Sequence, residues 1–503
     1  MRWKKKEDDF REALKKCLSE LKSTNCSHFY LFEESPFWYA AVHEIIKRKE
    51  SQEDLILFIF GNSVRRPMVS QMAWISFQGG LFKNHNLIKY LVRTIMPKIF
   101  PRLSPVYVLK KSLTGSTIRV IDFSKMRVPS LRSTEITNHD LYALFEQISK
   151  SLIGEIGSTE YVEKYFSQEY INKRIESAIT VYEVINEILR NVTAGQVYYM
   201  NGRMLHERAA LEAAKRNHIV GIAFESNMYG DKIQEFKGSI ANSKDISRQV
   251  EEFWTNEVEE KGIEKVISLA EHFFEERMQN RTINPFLRNM GIQKPNISTN
   301  AKRVYSYFTS SSEELNAFYN MHGLPNFDQE KLVLDLVDLF KQPENKASQL
   351  IIRVHPNLTN KRKEDKKFFK NLDGCSNVKV LGYDSGVNSY ELIMVSDFVL
   401  YSSSTVGLEA AFLKVPTFSF ARTFWDDLSV SRKIEEPSDI FHVNPNDIEA
   451  SHLQALKFAL FNMYGGSNYV FTNIKQMSDI DNGSFFDPLQ WLIYRGAKLM
   501  GKI

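Results

Sequence analysis

The sequence predicts an α/β protein made of two Rossmann-like domains, and three observations lead there. Short apolar runs rich in β-branched and aromatic residues alternate with helix-like segments along most of the chain. A stretch rich in proline and asparagine breaks this rhythm near residue 290, and the rhythm then restarts. At 503 residues the chain is too long for one ordinary domain, and two large α/β domains account for it.

In the first half, "HFYLFEES" (28–35), "DLILFIFG" (54–61), "PVYVLKK" (105–111), "TIRVIDF" (117–123), "QVYYMNG" (196–202) and "IVGIAFES" (219–226) read as strands. Between the last two, "RMLHERAALEAAKRNH" carries helix formers with apolar residues at helical spacing. A strand–helix–strand unit of this kind implies parallel pairing with a right-handed crossover. Residues 156–192 predict one or two long helices, and 244–280 are helical again. "QNRTINPFLRNMGIQKPNISTNAK" (279–302) holds two prolines and five asparagines without apolar periodicity, which marks an interdomain linker. Beyond it, strands are expected at 303–312, 348–357, 377–382, 397–403 and 415–420, and helices at 330–342, 361–372, 389–396 and 405–414. The expected organisation is a first domain over 1–285, a linker over 286–302 and a second domain over 303–475. A C-terminal segment, 476–503, would pack back on the first domain. Two such domains facing each other across a cleft suit nucleotide-sugar chemistry.

Composition excludes several classes. A hydrophobic fraction of 43% and a charged fraction of 25% are those of a globular chain. The 65 basic residues are nearly offset by 61 acidic ones, so charge gives no argument for nucleic acid. Cys17, Cys26 and Cys375 have no paired spacing, which fits a reducing compartment and gives neither a disulfide framework nor a zinc site. With no signal-like N-terminus and no run of 18 apolar residues, a cytoplasmic protein is expected. "MRWKKK" and "PLQWLIYRGAKLMGKI" (488–503) combine basic and aromatic residues, which leaves contact with an anionic inner leaflet open.

The residues that carry chemistry stand at strand ends. Ser402, Ser403, Ser404 and Thr405 form a hydroxyl run where the buried "FVLY" gives way to a helix, a place suited to a phosphate. Glu409, inside that helix, is placed to hold ribose hydroxyls; capping alone is the alternative for the hydroxyls. His355 stands at the carboxyl end of another strand, where an imidazole can donate to a phosphate oxygen. Pro356 stiffens the turn.

"RVHPN", and further along "YELIMVSDFVLYSSSTVGLEAAFLKVPTFSF", resemble the capsule polysaccharide biosynthesis glycosyltransferases. Bacterial polysialyltransferases, Kdo transferases and CDP-glycerol glycerophosphotransferases are similar. "YFTSSSEEL" (307–315) and "YYMNGRMLHERAALEAAKRNHIVGIAFESN" (198–227) extend the resemblance over roughly residues 195–420. It implies a GT-B fold and transfer of a sugar from a CMP- or CDP-activated donor. In this reading the sugar is an acidic one such as Kdo, passed to a surface polysaccharide or lipid-linked glycan. The nucleotide phosphate then falls to His355, Pro356, Asn357, Ser402, Ser403 and Ser404, with Ser310 and Ser311 beside them. Asn201, Gly202 and Arg203 are the matching turn of the first domain. For the base that takes the acceptor's proton, Glu225 leads, because it closes an apolar strand. Glu33 and Glu34 are its rivals, in a paired-acid motif where serine replaces the family's glycine. No Asp-x-Asp pair is expected on a strand end, where it could hold a divalent metal, and no His/Cys cluster has metal spacing, so a mechanism without metal or cofactor is expected. A CDP-glycerol-type transferase, a UDP-sugar 2-epimerase and a nucleotide-sugar-binding scaffold without chemistry stay open.

Overall fold

In a computed structural model of the chain, the described residues are 2–21, 26–32, 36–60, 105–114, 118–124, 126, 128, 139–156, 168–192, 194–279, 293–295, 301–310, 318, 327–356, 363–372, 376–444 and 447–471. They fall into two compact units. The first holds the described residues up to 149, those of 168–240, and 466–471; the second holds 150–156 and the described residues of 241–465.

The first unit is built on a seven-stranded sheet. Its strands are β1 (Cys26–Leu31), β2 (Asp54–Ile59), β3 (Arg119–Asp122), β4 (Ala194–Met200), β5 (Val220–Ser226), β6 (Lys232–Lys237) and, from the far end of the chain, β13 (Ser467–Asn468). The order is β3-β2-β1-β4-β5-β6-β13. The first five are parallel, while β6 and β13 run antiparallel to their neighbours. Helices α1 (Arg2–Glu20), α2 (Pro36–Lys49), α3 (Pro105–Ser112), α4 (His139–Ile156), α5 (Gln168–Asn191) and α6 (Leu205–Arg216) accompany it. Every residue of β1 is buried, as expected for a central parallel strand covered on both faces.

The second unit has six strands: β7 (Arg303–Phe308), β8 (Ser348–Arg353), β9 (Val378–Leu381), β10 (Phe398–Tyr401), β11 (Thr417–Ser419) and β12 (Arg432–Lys433). All pair in parallel, in the order β9-β8-β7-β10-β11-β12. Its helices are α7 (Ser243–Lys261), α8 (Ile263–Met278), α9 (Gln329–Lys341), α10 (Lys363–Lys370), α11 (Ser389–Met394), α12 (Val406–Phe412) and α13 (Ile448–Tyr464). Numbering strands from each sheet's first gives 3-2-1-4-5-6 in the second unit, the order of a doubly wound Rossmann sheet, and the same order in the first unit with β13 added at its edge and its last two strands antiparallel to their neighbours. The α/β class with two Rossmann-like units therefore stands as the sequence predicts it.

Three of the differences from the sequence reading bear on how the two units are built. Residues 105–111 form a helix, not a strand. Proline at the first helical position is preorganised for a helix, and Leu109 and Leu113 bury one face at a spacing of four. The antiparallel strand β6 was not foreseen. The Asn227 side chain closes the turn before it, accepting from the backbone N–H groups of Asp231 and Lys232 at 3.1 and 3.2 Å. The third difference is a boundary. Residues 241–279, read as part of the first domain, belong to the second unit. The helical run splits at Gly262 (φ 81°) into α7 and α8, and both pack on α13. The chain rejoins the first unit at β13, where the Glu44 carboxylate accepts from the N–H groups of Val470 and Phe471 at 3.0 and 2.9 Å. Most of the expected linker, and the whole segment 476–503, lie outside the described residues.

Candidate functional site

In the second unit the strand order reverses between β7 and β10. The loops leaving those two strands diverge there, and ligands of open α/β sheets bind beyond such a point. The residues after β7 are Thr309 and Ser310, those after β10 are Ser402–Thr405, and those after β8 include His355.

Hydrogen bonds join these three loops. The Thr309 hydroxyl accepts from the His355 N–H at 2.9 Å. The Ser310 hydroxyl accepts from the Ser403 N–H at 3.1 Å. Gln329, the first residue of α9, fixes Ser310 from behind: its side chain accepts from the Ser310 N–H at 2.7 Å and donates to the Ser310 carbonyl at 2.9 Å. Thr309 and Ser310 are buried, Ser403, Ser404 and His355 are half-buried, and Thr405 is exposed.

The hydroxyl run is thus not uniform. Ser402 is fully buried, and its hydroxyl bonds at 2.6 Å with that of Tyr307, whose own ionisation burial pushes well above the usual range. A buried phenol needs such a partner, so Ser402 serves the core, unlike the half-buried Ser403 and Ser404 and the exposed Thr405. The Ser404 hydroxyl also accepts from the Val406 N–H at 3.4 Å. Glu409, expected to hold ribose, is buried and accepts from Arg277 at 3.0 Å. Pro356 is half-buried beside His355, whereas Asn357 and Ser311 lie outside the described residues.

The first unit has a matching switch point between β1 and β4. Asn201 leaves β4 with φ 28° and Gly202 follows with φ 75°, both in the left-handed region. The Asn201 side-chain oxygen accepts from the Arg203 N–H at 3.0 Å, and its amide nitrogen donates to Glu225 at 3.3 Å. Glu225, at the end of the neighbouring β5, also accepts from the Ser226 N–H at 3.1 Å. Burial raises the Glu225 carboxyl above the usual range, against the lowering influence of Ser226, Arg203 and Asn201. The structure therefore brings Asn201, Arg203 and Glu225 together. Glu33 and Glu34 follow β1 in the chain but lie outside the described residues.

Gly202 is required here by its backbone. A Cβ would also stand 3.2 Å from the Tyr199 ring. Gly202→Ala is expected to lower stability in urea unfolding by ~1–2 kcal/mol, the cost of a left-handed side-chain residue. A loss under ~0.5 kcal/mol would mean that the turn relaxes without strain.

Three residues of this arrangement were not found in the sequence. Thr309 adjoins the quoted serines and differs from them by a methyl group. Gln329 and Arg277 stand in ordinary helical patterns, and only the fold shows where they reach. Among the described residues, no group of three or more His, Cys, Asp or Glu is placed to hold a metal ion.

No family model matches the sequence, and no curated protein matches it. Solved structures do match. A β-Kdo 2,4-transferase, KpsC of Thermosulfurimonas dismutans, aligns over 54% of this chain and 80% of its own, at 13% identity and TM-score 0.34. The calicheamicin glycosyltransferase CalG4 aligns over 88% and 95%, at 10% identity and TM-score 0.27. UDP-GlcNAc 2-epimerase of Methanocaldococcus jannaschii aligns over 93% and 99%, at 11% identity and TM-score 0.25. Scores this low identify no activity, and the fold assignment rests on the strand order itself.

Proposed function

We propose that this chain is a glycosyltransferase that moves a sugar from a nucleotide-activated donor to a glycan acceptor. One observation carries the reading: the loops after three adjacent parallel strands are tied together at a switch point by the Thr309–His355 and Ser310–Ser403 bonds. Half-buried hydroxyls and an imidazole stand on that framework. As the bond from the sugar to phosphate breaks, charge builds on the departing phosphate, and preorganised donors stabilise it. Ser403, Ser404, Thr405 and His355 fill that role. Glu225, held by Asn201 and made more basic by burial, takes the proton of the acceptor hydroxyl.

The finer reading is a CMP-linked donor carrying Kdo or another acidic sugar, with a bacterial surface polysaccharide or lipid-linked glycan as acceptor. The motif resemblance of the His-Pro and serine-run segments supports it. Neither a resident cofactor nor a metal belongs to this reading. In this reading the reaction takes place at the cytoplasmic side of a membrane. Among the described residues no helix is long and apolar enough to cross one.

Calorimetric titration with CMP, cytidine, CDP and UDP tests the proposal. A hydrogen bond to a charged group contributes about 1.5–3 kcal/mol, so cytidine should bind at least about tenfold more weakly than CMP. Equal affinity for cytidine and CMP, or response to UDP with none to CMP, counts against it.

A further inference from the structure

Arg277 lies near the end of α8, just before the asparagine-rich stretch, and is 4% exposed. Its guanidinium reaches two residues of the β10–α12 region. It donates to the Glu409 carboxylate at 3.0 Å and to the Thr405 hydroxyl at 3.2 Å. The guanidinium also lies over the Phe273 ring, 4.6 Å from its centroid. The next residue, Phe274, stacks on Phe412 at the end of α12, at 4.1 Å and nearly parallel. Helix α8 therefore holds the α12 region at two points: apolar at Phe412, and through Arg277 at Glu409 in mid-helix and at Thr405 just before it. The buried Tyr390 hydroxyl lies beside the pair, and burial, then the Glu409 carboxylate, push its ionisation well above the usual range.

A buried ion pair gives little net stability, because desolvation offsets the attraction, and apolar residues of similar size serve a core as well or better. What this pair adds is direction. One guanidinium nitrogen, Nη2, makes both contacts, and the planar group holds its two acceptors in fixed directions. Because the Thr405 oxygen accepts from Arg277, its own hydrogen is turned away from the guanidinium. Thr405 is exposed, so that O–H is available to donate outward.

We infer that Arg277 is the positioning residue of the donor-phosphate loop, aligning the Thr405 hydroxyl as a phosphate donor while Glu409 holds Arg277 in place. The inference rests on the donor-phosphate reading given above. It also places Glu409 behind the loop, as the counter-ion of Arg277, instead of on ribose.

The test pairs stability with phosphate recognition. Arg277→Met with Glu409→Leu removes both charges at once and so leaves no uncompensated ion. Its melting temperature should stay within about 4 °C of wild type. Its affinity for CMP should fall about tenfold or more, while that for cytidine does not change. A second pair needs no core change: Thr405→Val should lose CMP affinity in the same way, and Thr405→Ser should retain it. If wild type binds CMP no better than cytidine, the donor-phosphate reading fails and takes this inference with it. If wild type prefers CMP, and either the double variant or Thr405→Val binds CMP as wild type does, the inference alone fails.

Discussion

Glu225→Gln is expected to remove transfer almost entirely while leaving the protein at least as stable as wild type at neutral pH. The reason lies in the opposed demands on this carboxyl. Its surroundings raise its pKa, so the folded state disfavours the anion relative to solvent. Between the unfolded pKa and the raised folded one, the native state binds more protons, and stability falls as pH rises through that window. Above the window the full cost of the buried anion remains, and a neutral glutamine removes it. The glutamine oxygen still accepts from Asn201, so the turn survives. Catalysis loses its base, which is worth roughly 10²–10⁴-fold in rate. In wild type, kcat/KM should rise with pH through the raised pKa and then level. Steady-state kinetics with a thermal melt check the prediction. A variant that melts lower and keeps its turnover would make Glu225 a structural residue.

The second large effect is expected from Gly407→Ala. Gly407 lies in the first turn of α12, against the aromatic ring that ends β10. An added Cβ would stand 2.2 Å from Cζ of Tyr401, far inside contact distance. Tyr401 cannot move aside. It is fully buried, bonded to the Ser431 hydroxyl at 2.6 Å, and its oxygen accepts from the Trp425 indole at 3.1 Å. Relief must come from α12 lifting off the sheet, which carries Ser403–Thr405 with it. Overpacking of this kind costs about 1–3 kcal/mol. Urea unfolding should show that loss, and CMP binding should weaken in parallel. An unchanged midpoint with unchanged CMP affinity would show that the helix does not need this close approach.

Much of this architecture is legible in the sequence because its strands are parallel. A strand buried on both faces reads as an apolar run, as "LII" and "FVLY" do, and the polar residues that follow mark the carboxyl ends where ligands bind. His355 and the serine run stand out for that reason. "PVYVLKK" misleads because its β-branched residues suggest a strand, while the proline that starts it suits a helix equally well. The division of labour within the hydroxyl run is not legible. Ser402 and Ser403 are the same residue type, and only the fold shows that the hydroxyl of one bonds Tyr307 while the backbone N–H of the other donates to Ser310. Nor does local pattern show that Arg277, over a hundred residues before Glu409, is its partner. The apolar faces of α7 and α8 can be read from spacing, but what they pack against cannot.

The central claim is that the switch point of the second sheet grips a nucleotide's phosphate. A crystal structure of the chain with CMP bound tests it most directly. The phosphate should lie within hydrogen-bonding distance of the Ser403–Thr405 hydroxyls and the His355 ring, with Ser402 still turned inward on Tyr307. A phosphate seated elsewhere, with these groups untouched, would contradict the account.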